Sequence, residues 1–162
     1  MKNIPYFFLL LLFIACNQPE APVQEAGAEA EAGAPVFDST LAAQYGADEY
    51  GMKTYVMAYL KSGPNRSQDS LEAARLQRAH LDNITRMAEA GQLVLAGPFL
   101  DGGDVRGIYI FNVATIEEAQ ALTETDPAIQ AGRLVMELHP WYGSAALMEL
   151  NDRHKKVAKK GI

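Results

Sequence analysis

Lys53-Thr54-Tyr55-Val56-Met57-Ala58-Tyr59-Leu60, closed by Gly63-Pro64-Asn65, is the stretch whose reading decides the fold. Its β-branched and aromatic residues predict a strand, and the Gly-Pro-Asn run predicts the loop that ends it. Downstream, Ser67 to Ala90 carries helix signals, with Gly91 expected as the C-terminal cap. Leu93 to Ala96 predicts a second strand, stopped by Gly97-Pro98. A turn at Asp101-Gly102-Gly103-Asp104 leads into a third, Arg106 to Val113. Thr115 is placed to cap a helix over Ile116 to Glu124, with Glu118 completing a capping box. Asp126-Pro127 opens a short helical turn to Gly132, and Leu134 to Tyr142 predicts the fourth strand.

The order is β-α-β-β-α-β, which predicts an α+β chain of ferredoxin-like arrangement, its helices on one face of a four-stranded antiparallel sheet. Strand alternation puts Thr54, Val56, Ala58 and Leu60 on one side of the first strand and Tyr55, Met57 and Tyr59 on the other. In the third strand Ile108 and Ile110 oppose Tyr109, Phe111 and Val113. Neither face of either strand is polar. The face without helices would be an apolar patch in a monomer, so a homodimer is expected, closing into a dimeric α+β barrel. Coverage by residues 37–50 or 143–162 of the same chain is the alternative. In the last strand Glu137, His139 and Trp141 share a face. Tyr55, Tyr109, His139 and Trp141 are candidates to line a pocket for a small ring, and strand-end packing is the plainer explanation of them.

Outward from this domain (about 51–150) the chain changes character. Lys2 followed by the apolar run Ile4 to Ala15 reads as a secretory signal peptide, residues 1–15. The run is too short to span a bilayer, which takes roughly 20 apolar residues. Phe13-Ile14-Ala15-Cys16 resembles a lipobox, in which cleavage before the cysteine leaves an acylated N-terminus; Phe13 departs from the usual leucine. Cys16 is the only cysteine of the 162 residues, which excludes an intramolecular disulfide, a thiolate metal cluster and a catalytic cysteine further along. Residues 17–36 hold Ala, Glu, Gln, Gly and Pro, with Val as the only larger aliphatic residue, and read as a disordered tether within 16–50. Such a tether would hold the domain about 25 Å from its anchor. A short helix is expected between Phe37 and Tyr50.

The formal charge is −6, from 14 basic and 20 acidic side chains, and loss of Lys2 with the signal makes it one unit more negative. An acidic exported chain has no electrostatic footprint for nucleic acid. An anionic bilayer would repel it, so the lipid on Cys16 must supply the membrane attachment. The location expected is the bacterial envelope, at the outer membrane facing the periplasm. The basic tail of residues 151–162, His154-Lys155-Lys156-Val157-Ala158-Lys159-Lys160, reads as a solvated helix face.

Two residues stand out for chemistry. At 100° per residue, Ala73, Ala74, Leu76, Gln77, His80, Leu81, Ile84, Met87 and Ala88 form one arc of the long helix, with His80 in its middle. A histidine on an inward stripe must find partners for its nitrogens, and its charge is tunable near neutral pH. A structural histidine bonded to a backbone carbonyl is the bland reading. Asp126 before Pro127 is an ordinary helix N-cap, which leaves one carboxylate oxygen free for a second role. Glu137, His80 and His139 have no metal-ligand spacing, so no metal is expected. Gly102-Gly103 lies in a hairpin turn and forms no phosphate loop. With no cofactor fingerprint in the chain, no cofactor is expected. The sequons at Asn65 and Asn83 carry no weight in a bacterial lipoprotein.

The run Arg78-Ala79-His80-Leu81, then Ala90 to Pro98 (AGQLVLAGP), then Thr125-Asp126-Pro127-Ala128-Ile129-Gln130-Ala131-Gly132, resembles the YCII-related (YciI-like) family over about residues 53–140. The resemblance implies a ferredoxin-like dimeric barrel and an active site of a His–Asp pair, here His80 and Asp126. An arginine is often found three residues before that histidine; Gln77 stands there, with Arg78 one place later. One branch resembles dehydrochlorinases of chlorinated hydroxyaromatics. The implied activity is a cofactor-independent hydrolase or lyase on a small organic molecule, with Asp126 fixing the imidazole of His80 for acid/base work. A non-catalytic ligand-binding or dimerisation module is the alternative.

Overall fold

β1 (Met52–Ser62) is an interior strand of a four-stranded sheet of order β2-β3-β1-β4 in the computed structural model, which describes residues 36–161. The expected signal segment, Cys16 and the tether up to residue 35 lie outside the described residues. β1 pairs antiparallel with β3 (Val105–Phe111) and with β4 (Leu134–Ser144), and β3 pairs antiparallel with β2 (Leu93–Pro98). α2 (Ser70–Glu89), α3 (Ile116–Thr123) and α4 (Pro127–Gln130) complete the β-α-β-β-α-β order, with α1 (Ser39–Tyr45) ahead of it and α5 (Leu150–Val157) behind.

Local chemistry sets the ends of these elements. α2 starts later than Ser67 because the Asn65 side chain takes the Ser67 amide and hydroxyl into a turn, while Asp69 caps the helix through the Glu72 amide. The helix ends at Glu89 with Ala90 at the cap, and Gly91 follows in the left-handed conformation at φ +69°. Thr115 and Glu118 form the expected capping box at α3. β4 continues to Ser144 because β1 offers partners as far as Met52.

The register sorts the side chains. Val56, Ala58 and Leu60 of β1 share a face with Tyr109 and Phe111, and pack with Met87, Leu93 and Ala119 under α2 and α3. Among the described residues six large apolar side chains are fully buried, Tyr109, Phe111, Met87 and Val56 among them. Each contributes about 1.5–3 kcal/mol relative to exposure. On the other face Tyr55, Val94 and Ile110 are buried beneath Leu147 and Met148. Those two residues belong to a 3₁₀ turn, Ala145–Glu149, so the chain itself covers that end of the open face. Met57, Tyr59, Ile108 and Trp141 on the same face are only half-buried, and Glu137 and His139 beside them are exposed.

The compact unit begins at Phe37 and so takes in residues 37–50. α1 is the short helix expected there. Its Tyr45 hydroxyl donates to Glu149 Oε1 at 2.5 Å, and Asp48 accepts from the amides of Tyr50 and Met52 and from the Tyr142 hydroxyl. The basic tail begins as α5, with His154, Lys155 and Lys156 exposed. Among the described residues, no helix is long and apolar enough to cross a membrane.

Candidate active site

α2 turns Leu76, His80, Asn83 and Met87 toward the sheet, leaving His80 only 7% exposed. Asp126, wholly buried, sits at the N-cap of α4. Its two oxygens divide the work: Oδ1 accepts from the Ala128 amide at 2.8 Å, and Oδ2 lies 2.5 Å from His80 Nδ1. Capping and imidazole binding are thus done by one carboxylate, which leaves neither oxygen unpaired. A carboxylate only accepts, so Nδ1 carries a proton and, in the neutral ring, Nε2 is the acceptor.

Nε2 lies 3.3 Å from the Tyr109 hydroxyl, with the two rings nearly parallel at 18° and 6.2 Å between centroids. Burial, and after it the nearby Asp126 charge, pushes the Tyr109 phenol far above its ordinary range. It therefore keeps its proton, which it can donate to Nε2 when the ring is neutral. The result is a row, Asp126–His80–Tyr109, in which each polar group has a partner.

A second set of bonds holds Asp126 against α2. Arg86 donates through Nη2 to Asn83 Oδ1 at 2.8 Å and to Thr125 Oγ1 at 2.9 Å. The Thr125 hydroxyl in turn donates to the Leu122 carbonyl at 2.7 Å. Thr125 precedes Asp126, and Asn83 lies one turn after His80, so the two halves of the pair are tied at adjacent positions.

A cavity of about 600 Å³ opens beside the pair. Leu60, Gly107 and Tyr109 come to it from the sheet, Gln77, His80, Leu81 and Ile84 from α2, and Arg66, Arg106 and Arg133 from loops and strand ends. Gly63 brings two of these arginines together. Its amide donates to the Arg133 carbonyl at 2.8 Å, and a Cβ at position 63 would lie 2.2 Å from the Gly132 carbonyl oxygen. Only glycine allows the loop after β1 to lie this close on the turn before β4. A groove of similar volume runs between α2, β2 and α5, and no buried titratable pair faces it.

The four aromatic candidates do not line one pocket. Ala58 is paired with Tyr109 across β1 and β3, which puts Tyr109 on the helix face beside His80. Tyr55, His139 and Trp141 lie on the opposite face of the sheet. Tyr55 stacks at a tilt against Trp141, 5.8 Å between centroids, and donates to the Ser144 carbonyl at 3.1 Å. His139 is exposed, 2.9 Å from Glu137, and its ring meets the edge of Tyr59. Hydrogen bonds from Lys61, then from His139, hold the Glu137 carboxyl below its usual range. Gln77 lines the cavity, whereas Arg78 pairs with Asp82 at 2.8 Å on the outer side of α2. Among the described residues, no group of three or more His, Cys, Asp or Glu is placed to hold a metal ion.

Sequence reasoning overlooked Arg66, Arg106 and Arg133, which come from three separate segments and share no motif. Tyr109 lines the His80 cavity apart from the other three candidates, because the run Tyr109 and Phe111 falls on the face of Val56, Ala58 and Leu60 once the strands are in register.

The profile of a family described as YCII-related domain matches residues 54–142. A search of curated proteins gave no match. Among solved structures the chain is similar to 5-chloro-2-hydroxyhydroquinone dehydrochlorinase from Burkholderia phenoliruptrix AC1100, in complex with 2,5-dihydroxybenzoquinone. The identity is 23% and the TM-score 0.42, over 54% of this chain and 92% of that one.

Proposed function

The chain belongs to the YCII-related domain family, and on that premise we propose that it binds a small organic molecule beside His80 and turns it over by general acid/base catalysis. The observation that carries this reading is the 2.5 Å contact between Asp126 Oδ2 and His80 Nδ1, in a histidine that lines a cavity. Asp126 fixes the tautomer and stabilises the imidazolium that forms when Nε2 takes a proton. The Tyr109 contact to Nε2 is long for a hydrogen bond at 3.3 Å, so a substrate group can displace it at small cost. In a hydrolysis the proton comes from the attacking water and passes to the leaving group. In an elimination it comes from the carbon next to the one that loses its substituent. Either use needs only this chain's residues, and no cofactor.

The reading extends to the whole chain. Cleavage before Cys16 and acylation of its thiol would anchor the domain at the outer membrane, facing the periplasm. The half-buried Met57, Tyr59, Ile108 and Trp141 support a homodimer across the uncovered part of the sheet face. Two lipids would then anchor each dimer, and two-signal attachment is what makes membrane binding stable.

The test is turnover of p-nitrophenyl acetate and of chlorinated hydroxyquinols, followed by phenolate and chloride release. His80→Ala should keep the fold and abolish turnover, and Asp126→Asn should lower it less. Turnover unaffected by His80→Ala would refute the catalytic role. A wild-type protein inactive on both would favour the non-catalytic binding module.

A further inference from the structure

Charge in the cavity runs against charge in the chain. The protein is acidic, at −6, yet no aspartate or glutamate is among the residues lining the His80 cavity, and three arginines are. Their hydrogen-bond partners are neutral. Arg66 donates through Nη1 to the Arg133 carbonyl at 3.2 Å, Arg133 to Gln68 Oε1 at 3.2 Å, and Arg106 to the Gly103 carbonyl at 3.3 Å. Among the described residues none of the three has a carboxylate within ion-pair distance, whereas Arg75, Arg78 and Arg153 each have one. Asp126 is not among the lining residues, and its oxygens bond His80 and the Ala128 amide rather than any of the three arginines.

A guanidinium stays charged and offers five donors in a planar fork. With one hydrogen bond each among the described residues, these three keep most of that capacity. Two of them are also held in place, since the contact of Gly63 with the 132–133 turn fixes the loops that carry Arg66 and Arg133. The rest of the cavity is hydrocarbon, from Leu60, Leu81, Ile84, Pro98 and Leu134, with the Tyr109 ring. A bare phosphate would leave that surface unused.

We infer that the molecule bound beside His80 is a small organic anion, a carboxylate on an apolar body, with its charge held by Arg66, Arg106 and Arg133. The inference rests on the reading of this cavity as the working site. It adds the chemical class of the substrate and a reason for its orientation: the charged end lies at the arginines, and the apolar body extends toward Nε2.

The probes are benzoate and hexanoate, their uncharged amides, and inorganic phosphate, titrated into the mature chain in detergent. Calorimetry reads affinity and the His80 Cε1–H proton signal reads location; with three histidines in the chain, His80→Ala assigns the signal. Both carboxylates should bind roughly tenfold or more tightly than their amides, about 1.4 kcal/mol, should weaken with added salt, and should move the His80 signal. Arg106→Gln and Arg133→Gln should each weaken the carboxylates about tenfold, a typical loss for one charge-assisted contact, and leave the amides unchanged. Amides that bind as tightly as the acids and move the His80 signal would overturn the anion and leave the cavity's role standing. Carboxylates that bind without moving that signal would overturn both. Phosphate that matches benzoate, or no carboxylate binding at millimolar concentration, would overturn the organic anion.

Discussion

Replacing Asp126 in two ways separates its duties. Asp126→Ala removes the N-cap of α4, costing about 1 kcal/mol, and the charge-assisted bond to His80 Nδ1, about 1.5–3 kcal/mol. The Ala128 amide and Nδ1 are then left without their carboxylate partners at a position that is wholly buried. The expected loss is about 3 kcal/mol in all. Asp126→Asn keeps a carbonyl oxygen for the Ala128 amide and presents an N–H to Nδ1, which must then accept. A weaker neutral bond replaces the charged one, and the cost of burying a carboxylate is relieved. The loss should stay under about 1.5 kcal/mol. Trp141 is the only tryptophan and gives a single fluorescence probe of urea unfolding. With a slope of about 2 kcal/mol per molar urea, Asp126→Ala should lower the midpoint by about 1.5 M and Asp126→Asn by less than half of that. Equal losses for the two variants, or two midpoints at the wild-type value, would refute the division of labour between Oδ1 and Oδ2.

Further outcomes follow from the rest of the structure. Gly63→Ala places a methyl 2.2 Å from the Gly132 carbonyl oxygen, so it should cost about 1–3 kcal/mol in urea unfolding and weaken anion binding through Arg66 and Arg133; a neutral effect would contradict the close approach. The Tyr45–Glu149 bond pushes the Tyr45 phenol up from 10.0 to about 12 and holds the Glu149 carboxyl below its usual 4.5. A depressed carboxylate stabilises above its unfolded value and loses that contribution as pH falls; a raised phenol stabilises below its unfolded value and loses it as pH rises. α1 docking should thus be constant from about pH 5 to 9 and weaken beyond both ends. Exchange of the α1 amides on the acid side, and a tyrosinate step near pH 12 that Tyr45→Phe abolishes, check this; protection unchanged under acid conditions would contradict it. Cys16→Ser should block incorporation of labelled palmitate and leave an uncleaved precursor, and labelling that survives the change would remove the lipid anchor.

What the sequence discloses here is what local physics controls. The strands of 53–60 and 106–113 are legible because β-branched and aromatic residues alternate between turn signals, and Thr115 and Glu118 because a capping box needs only four residues. His80 is legible as inward-facing from helical periodicity, and Asp126 as a cap from the proline that follows. The contact between His80 and Asp126 is suggested only by the order of three motifs, since nothing local brings residues 46 positions apart together. Tyr109 shows where reasoning of this kind ends: its side of the sheet depends on the register with Ala58, a long-range pairing. The 3₁₀ turn over Tyr55 and the convergence of Arg66, Arg106 and Arg133 are tertiary in the same sense. The helix expected between Phe37 and Tyr50 is α1, but what holds it, the contact of Tyr45 with Glu149 104 residues away, is not legible locally.

The most direct test of the central claim is the protonation of the His80 ring in the wild-type protein at neutral pH, read from long-range ¹H–¹⁵N correlations. A carboxylate 2.5 Å from Nδ1 requires a proton on Nδ1, which leaves Nε2, beside Tyr109, as the acceptor when the ring is neutral. A spectrum with the proton on Nε2 alone would mean that Asp126 does not hold the ring in this state, and the acid/base role proposed for His80 would have to be withdrawn.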